Sequence, residues 1–158
     1  MNEVRDITII AVGGIKSAAT RVMCETYLKR MAPFAKICVF EIPAEPFTAE
    51  AQKEKSKKKE SEKILKALKK YGSEDVVLLD EKGIQMDSDE FSRFLFSENA
   101  PHVFVVGGAL GFDRDTLAGF KNRIALSKMT FPHELARMFL FEQIYRAITI
   151  SKGKEYHY

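Results

Sequence analysis

The chain has 158 residues, of which 46% are hydrophobic and 30% charged, a balance that suits one soluble domain with a single core and leaves little room for two. No apolar run approaches the roughly 20 residues that span a bilayer. The first six residues carry acids where a signal peptide is basic, so a cytoplasmic protein with no membrane partner is expected. The formal net charge is only +3 but unevenly placed: residues 50–70 hold nine lysines against four glutamates. A basic segment on a near-neutral body suits a polyanionic partner, and it equally suits a plain solvated helix face. Cys24 and Cys38 form neither a CxxC pair nor a zinc-type cluster, which points to buried reduced thiols and no metal site.

In chain order, the apolar run 7–12 stops at Gly13-Gly14 and predicts a buried strand. Ser17 fits the N-cap of a helix running through Ala18, Val22, Met23, Tyr27 and Met31. A second strand covers 36–42, and 44–48, with Pro46, reads as a loop. Residues 50–71 read as a lysine-rich helix with a buried stripe only in its second half, at Ile64, Leu65, Leu68 and Tyr71. Its first half lacks apolar anchors and is expected to be mobile. A third strand covers 76–80 and is followed by a turn at Lys82-Gly83. Ser88 is placed as the cap of a helix with Phe91, Phe94 and Leu95 inward. A fourth strand, 102–106, ends in Gly107-Gly108. A short fifth strand, 124–126, leads to a last helix opened by Pro132. Strands that are continuous apolar runs, alternating with helices, predict an α/β fold, a mostly parallel sheet with helices on both faces. No repeat or boundary divides residues 1–158.

Ligands of open α/β sheets bind beyond the carboxyl ends of the strands. Three such ends are unusual here: Leu79-Asp80-Glu81, the stretch from Val105 to Gly111, and the stretch from Leu126 to His133. Glycines in the second permit positive φ and close approach of backbone to a ligand. Its GGxxG spacing is not the dinucleotide fingerprint, and it lacks the GK[ST] of a phosphate loop. The third joins a strand end, a polar stretch and a proline-opened helix, a loop rich in backbone donors. Each loop alone reads as an ordinary connection; together they point to a site.

Several stretches together resemble the signatures of one family: Val105-Val106-Gly107-Gly108, Leu126-Ser127-Lys128-Met129-Thr130-Phe131-Pro132-His133, Glu142-Gln143-Ile144-Tyr145-Arg146-Ala147 and the terminal Tyr156-His157. The family is RlmH of the SPOUT superfamily, large-subunit ribosomal RNA methyltransferases that act on N3 of pseudouridine. The resemblance covers nearly the whole chain. It implies a trefoil knot near the C-terminus, S-adenosylmethionine as cofactor, an antiparallel homodimer, and the assembled ribosome rather than free RNA as substrate. Carried onto this chain, the cofactor contacts are Leu79, Gly107, Leu126, Ser127, Lys128, Met129, Thr130 and Phe131. Two departures are visible. The family usually adds Lys or Arg after Tyr-His, where this chain has Tyr158. Ala109 and Phe112 replace the family's more usual residues in the glycine loop, which should keep its shape and alter its packing. Apolar residues on more than one face of the last helix, among them Leu135, Met138, Phe139 and Phe141, independently favour a dimer.

Methylation at N3 of pseudouridine needs the N3 proton removed, by a base or with help from a cation. His133, Arg137 and His157 are the candidates. The first two, four residues apart, share a helix face beside the cofactor loop, and His157 sits in a short polar tail that a partner subunit could supply. Lys53, Lys57, Lys58 and Lys59 are candidate contacts to RNA phosphates. The competing readings are a non-catalytic RNA- or ribosome-binding protein that retains the knotted fold, and a flavodoxin-like nucleotide-binding domain.

Overall fold

The computed structural model describes residues 5–154; the candidate His157 and the terminal Tyr158 lie outside them. Five strands form one sheet: β1 (Arg5–Val12), β2 (Ala35–Ile42), β3 (Val76–Gln85), β4 (Val103–Val106) and β5 (Arg123–Ala125). Their order is β2-β1-β4-β3-β5 and every pairing is parallel. The helices are α1 (Ala18–Met31), α2 (Glu50–Leu68), α3 (Ser88–Leu95), α4 (Arg114–Gly119) and α5 (His133–Ser151).

The continuous apolar runs are explained by burial on both faces. Along β1, Ile7, Ile9 and Ala11 enter one core while Ile10 and Val12 enter the other. On β4, Phe104 and Val106 join the first core and Val103 and Val105 the second, as the two-residue period of a strand requires. The first core is closed by Cys24, Tyr27 and Met31 of α1, Phe91 and Leu95 of α3, and Leu140, Phe141 and Ile144 of α5. The second is closed by Ile64 and Leu68 of α2 with Phe112 and Phe120. Connections running toward the β2 edge thus cross one face, and those running toward β5 cross the other. All four crossovers therefore share one hand, as the strand twist demands of parallel connections. After the edge strand β5 the chain turns back, and α5 packs against both α1 and α3 and against β4.

Several boundaries differ from those predicted. The cap of α3 is Asp87, one residue before Ser88: its carboxylate accepts from Glu90 N at 2.7 Å, and Glu90 accepts from Asp87 N at 2.8 Å, a reciprocal capping box. Helix α4 was not foreseen; Asp113 caps it by accepting from Thr116 N at 2.8 Å, and its six residues are too few to carry a periodic pattern. The first half of α2 is anchored after all, by polar groups. Ser56, Glu60 and Ser61 are buried, and Ser56 Oγ donates to Pro46 O at 3.0 Å. Hydrophobic periodicity is blind to such anchors. Strand β3 does not end at residue 80; it breaks register between Leu79 and Ile84 and resumes against β5.

Candidate active site

The register brings the three unusual strand ends together. Leu79 pairs with Val106 on one side and Ile124 on the other, so the ends of β4 and β5 lie beside the point where β3 breaks register. Beyond them opens a cleft of about 780 Å3. Leu79, Gly107, Leu126, Ser127, Met129, Thr130 and Phe131 all line it, with His133 at one side. Lys128, from the same loop, points to solvent and is not among the lining residues. Met129, 74% exposed, stands at the mouth.

The glycine turn works by close approach rather than by unusual φ. Among the described glycines only Gly13, Gly111 and Gly153 have positive φ, so the expectation of positive φ holds in this turn for Gly111 alone. Gly107 has the Phe112 ring 3.2 Å from where a Cβ would stand; here the family departure at Phe112 becomes a packing contact. Gly111 N donates to Gly108 O at 3.1 Å and closes the turn.

The second wall is tied to β3. Residues 80–82 bulge out of the strand, and each acid in the bulge holds a neighbour. Asp80 pairs with Arg123 of β5 at 3.3 Å. Glu81 accepts a short hydrogen bond from the Thr130 hydroxyl. Ser127 Oγ accepts from Met129 N at 3.0 Å, while the amides of Lys128, Thr130 and Phe131 donate to nothing among the described residues. The Asp80-Glu81 pair was legible as an unusual strand end; its partners Arg123 and Thr130 were not, because the register break that joins them leaves no sequence pattern.

At the start of α5 the two candidates separate. His133 lies against Gly13, its Nε2 3.3 Å from that glycine's would-be Cβ, and also borders the cleft. Arg137 shares its face as expected but is buried behind it: Nη2 donates to Gly13 O at 2.7 Å and to Glu41 at 3.1 Å. Glu134 accepts from the amides of Lys16 and Ser17 at 2.8 and 3.2 Å. Those two bonds hold its carboxyl below the ordinary glutamate range, against the opposing effect of desolvation and with help from His133 and Lys16. The turn between β1 and α1 is thus clamped to α5 by two side chains.

Of the candidate lysines, Lys57 borders the cleft. Lys57 and Lys58 line a shallow depression with Asp113, Arg114 and Asp115. Lys58 and Lys59 are exposed, and Lys53 pairs with Glu50 at 2.7 Å. Among the described residues no group of His, Cys, Asp and Glu could hold a metal ion, and no helix is long and apolar enough to cross a membrane.

Sheet order and cleft together define an α/β protein with a parallel sheet and an open cleft beside the ends of β4 and β5 and the register break of β3. The family profile described as "Predicted SPOUT methyltransferase" matches residues 5–157. Relatives named "Ribosomal RNA large subunit methyltransferase H" are 38% identical in Carboxydothermus hydrogenoformans, over 96% of this chain and 99% of the relative, and 42% identical in Ruminiclostridium cellulolyticum, over 96% and 98%. The chain belongs to the SPOUT methyltransferase family, and its C-terminal part has that family's knotted α/β topology. A solved structure described as a probable methylase family protein from Haemophilus influenzae superimposes with a TM-score of 0.54 at 13% identity, covering 100% of this chain and 72% of that one; it speaks for the fold alone.

Proposed function

We propose that the chain, as one domain over residues 1–158, transfers a methyl group from S-adenosylmethionine to N3 of a pseudouridine in large-subunit ribosomal RNA, within the assembled ribosome in the cytoplasm. The observation that carries this is the meeting of Leu79 at the β3 register break with Gly107 and residues 126–131 around one cleft, in a chain whose relatives bear that enzyme's name. The residues fit the cofactor. The glycine turn lets backbone approach it closely, and the unpaired amides of Lys128, Thr130 and Phe131 offer donors to an adenine edge or a carboxylate.

When bound, the cofactor supplies an electrophilic methyl carbon on sulfur. The protein's work is positioning the acceptor in line and lowering the cost of losing the N3 proton. His133, at the edge of the cleft, is the described group best placed to take that proton. Arg137 fixes the helix end that presents His133. His157 is the further candidate, contributed by a partner subunit in an antiparallel homodimer. Exposed apolar side chains on the α1–α5 layer, Val22 and Met23 together with Phe139, support that dimer.

Calorimetric titration with S-adenosylmethionine should give saturable binding, and labelled cofactor should mark ribosomes lacking the modification rather than free RNA. His133→Ala should then lower turnover by about 100-fold while leaving cofactor affinity nearly unchanged. Absence of cofactor binding would leave the competing reading, a ribosome-binding protein that retains the fold.

The lysines predict a salt effect. Replacing Lys57, Lys58 and Lys59 together by glutamine should weaken ribosome binding and flatten its dependence on salt, by roughly two to three units in the log–log slope. An unchanged slope would remove α2 from the RNA contact.

A further inference from the structure

Helix α2 carries lysines outward and sends one acid inward. Glu60 is 3% exposed and follows Lys57 by less than one turn. Its Oε2 accepts from the Glu45 amide at 3.4 Å, and Oε1 has no partner among the described residues. Both oxygens lie 3.2 Å from where a Cβ would stand on Gly108, and Val12 Cγ1 lies 3.0 Å from the same point. The glycine turn therefore rests directly on this carboxyl group. Burial raises the pKa of Glu60, with a further push from the Glu45 carboxylate, against the Glu45 amide and Lys63. An acid in such a place is costly to keep, and nothing in the proposed methyl transfer employs it.

We propose that Glu60 is a positioning residue for the cofactor turn: its buried carboxyl group sets where Gly107-Gly108 lies relative to the strand ends. This rests on reading that turn as a cofactor contact. The argument is one of shape. Gly108 has no space for a side chain because Glu60 and Val12 fill it, so the turn sits where those two side chains place it. Emptying the position lets the turn settle into the vacated volume and withdraws it from the cleft. Glutamine keeps the volume and planar end of the group, and alanine keeps neither.

The test uses the full chain and two readouts. In Glu60→Ala, the dissociation constant for S-adenosylmethionine should rise about tenfold, and Glu60→Gln should stay within about threefold of the unaltered chain. Amide hydrogen exchange should accelerate at residues 107–111 in Glu60→Ala and stay unchanged in β1 and β4, a local pattern that general loss of stability does not produce. Gly108→Ala should also weaken binding, and combining it with Glu60→Ala should cost less than the sum, because the new methyl can then move off Val12 into the volume Glu60 vacates. Exchange that is unchanged at 107–111, or faster everywhere alike, overturns the proposal; so does additivity of the two substitutions. Should Glu60→Ala not fold, Glu60→Asp, which withdraws the carboxyl by one methylene, is read in the same two ways. If the unaltered chain binds no cofactor, the functional reading falls, and the exchange pattern alone then decides the role of Glu60.

Discussion

Replacing Gly83 by alanine is expected to destabilise the protein by about 2–3 kcal/mol and to lower kcat/KM by about 100-fold. A Cβ at this position would stand 2.6 Å from Arg123 C and 2.7 Å from Ile124 N and C. These are backbone atoms of β5, so no rotamer change relieves the clash; the strands must part. Gly83 closes the bulge 80–82 and returns β3 to its pairing with β5 at Ile84 and Gln85. If the strands part, the Asp80–Arg123 pair and the Glu81–Thr130 bond are both strained, and the 126–131 wall moves away from the glycine turn. Denaturant unfolding would measure the stability loss, and steady-state kinetics on the folded fraction the catalytic loss. A fall in stability with unchanged kcat/KM would mean that the register break does not position the loop.

The second large effect concerns Arg137. Arg137→Met is expected to cost about 2–3 kcal/mol, the range for losing hydrogen bonds made by a buried charged group. Arg137 is 4% exposed, and one of its two terminal nitrogens, Nη2, serves both Gly13 O and Glu41. The methionine leaves the Gly13 carbonyl without that donor, whereas Glu41, half-exposed, can turn to water. Glu41→Gln leaves a buried guanidinium without its counter-charge and should also destabilise. The double substitution should cost less than the sum, because once the guanidinium is gone Glu41→Gln no longer strands a buried charge, while the Gly13 carbonyl lacks its donor either way. Thermal melts of the four chains measure this directly. Because Arg137 and Glu134 together clamp the 13–17 turn to the helix that bears His133, turnover should fall in Arg137→Met even at temperatures where the protein stays folded. Simple additivity would mean that the two side chains do not act on one another.

Glu134 adds a pH dependence of known sign. Its folded pKa lies below the usual value, so it contributes stability above the unfolded glutamate range, and that contribution is lost as pH falls through the folded value. The side chain is partly exposed to solvent, so the effect is small beside those above.

Much of the architecture was legible because burial on both faces of a parallel strand writes an unmistakable run of Val, Ile and Phe. Four of the five strands were located to within two residues, β3 runs five residues past its expected end, and Ser17 was placed as the cap it is. The three site loops were legible too, since glycine pairs, a strand-end acid pair and a proline-opened helix are local signals of strand ends. The short α4 and the Asp87 cap escaped because one helical turn or one residue of offset lies below what periodicity resolves. The contacts of Arg137, which was named only as a catalytic candidate, and the burial of Glu60 escaped for a different reason. A charged residue on a helix reads the same whether it meets water or a backbone carbonyl from a distant turn.

By itself, then, the order of residues determined the alternation of strand and helix, the class of sheet and the resemblance to a knotted methyltransferase, because these rest on side-chain period and on runs of residues matched in place. Only the tertiary structure decided that Leu79, Gly107 and residues 126–131 border one cleft, that Gly83 and Gly108 are held to glycine by the atoms facing them, and that Arg137 holds a turn while His133 borders the cleft. Those facts depend on strand order and on a register break. Both follow from which non-local surfaces pack best, a property of the whole folded chain and of no segment within it.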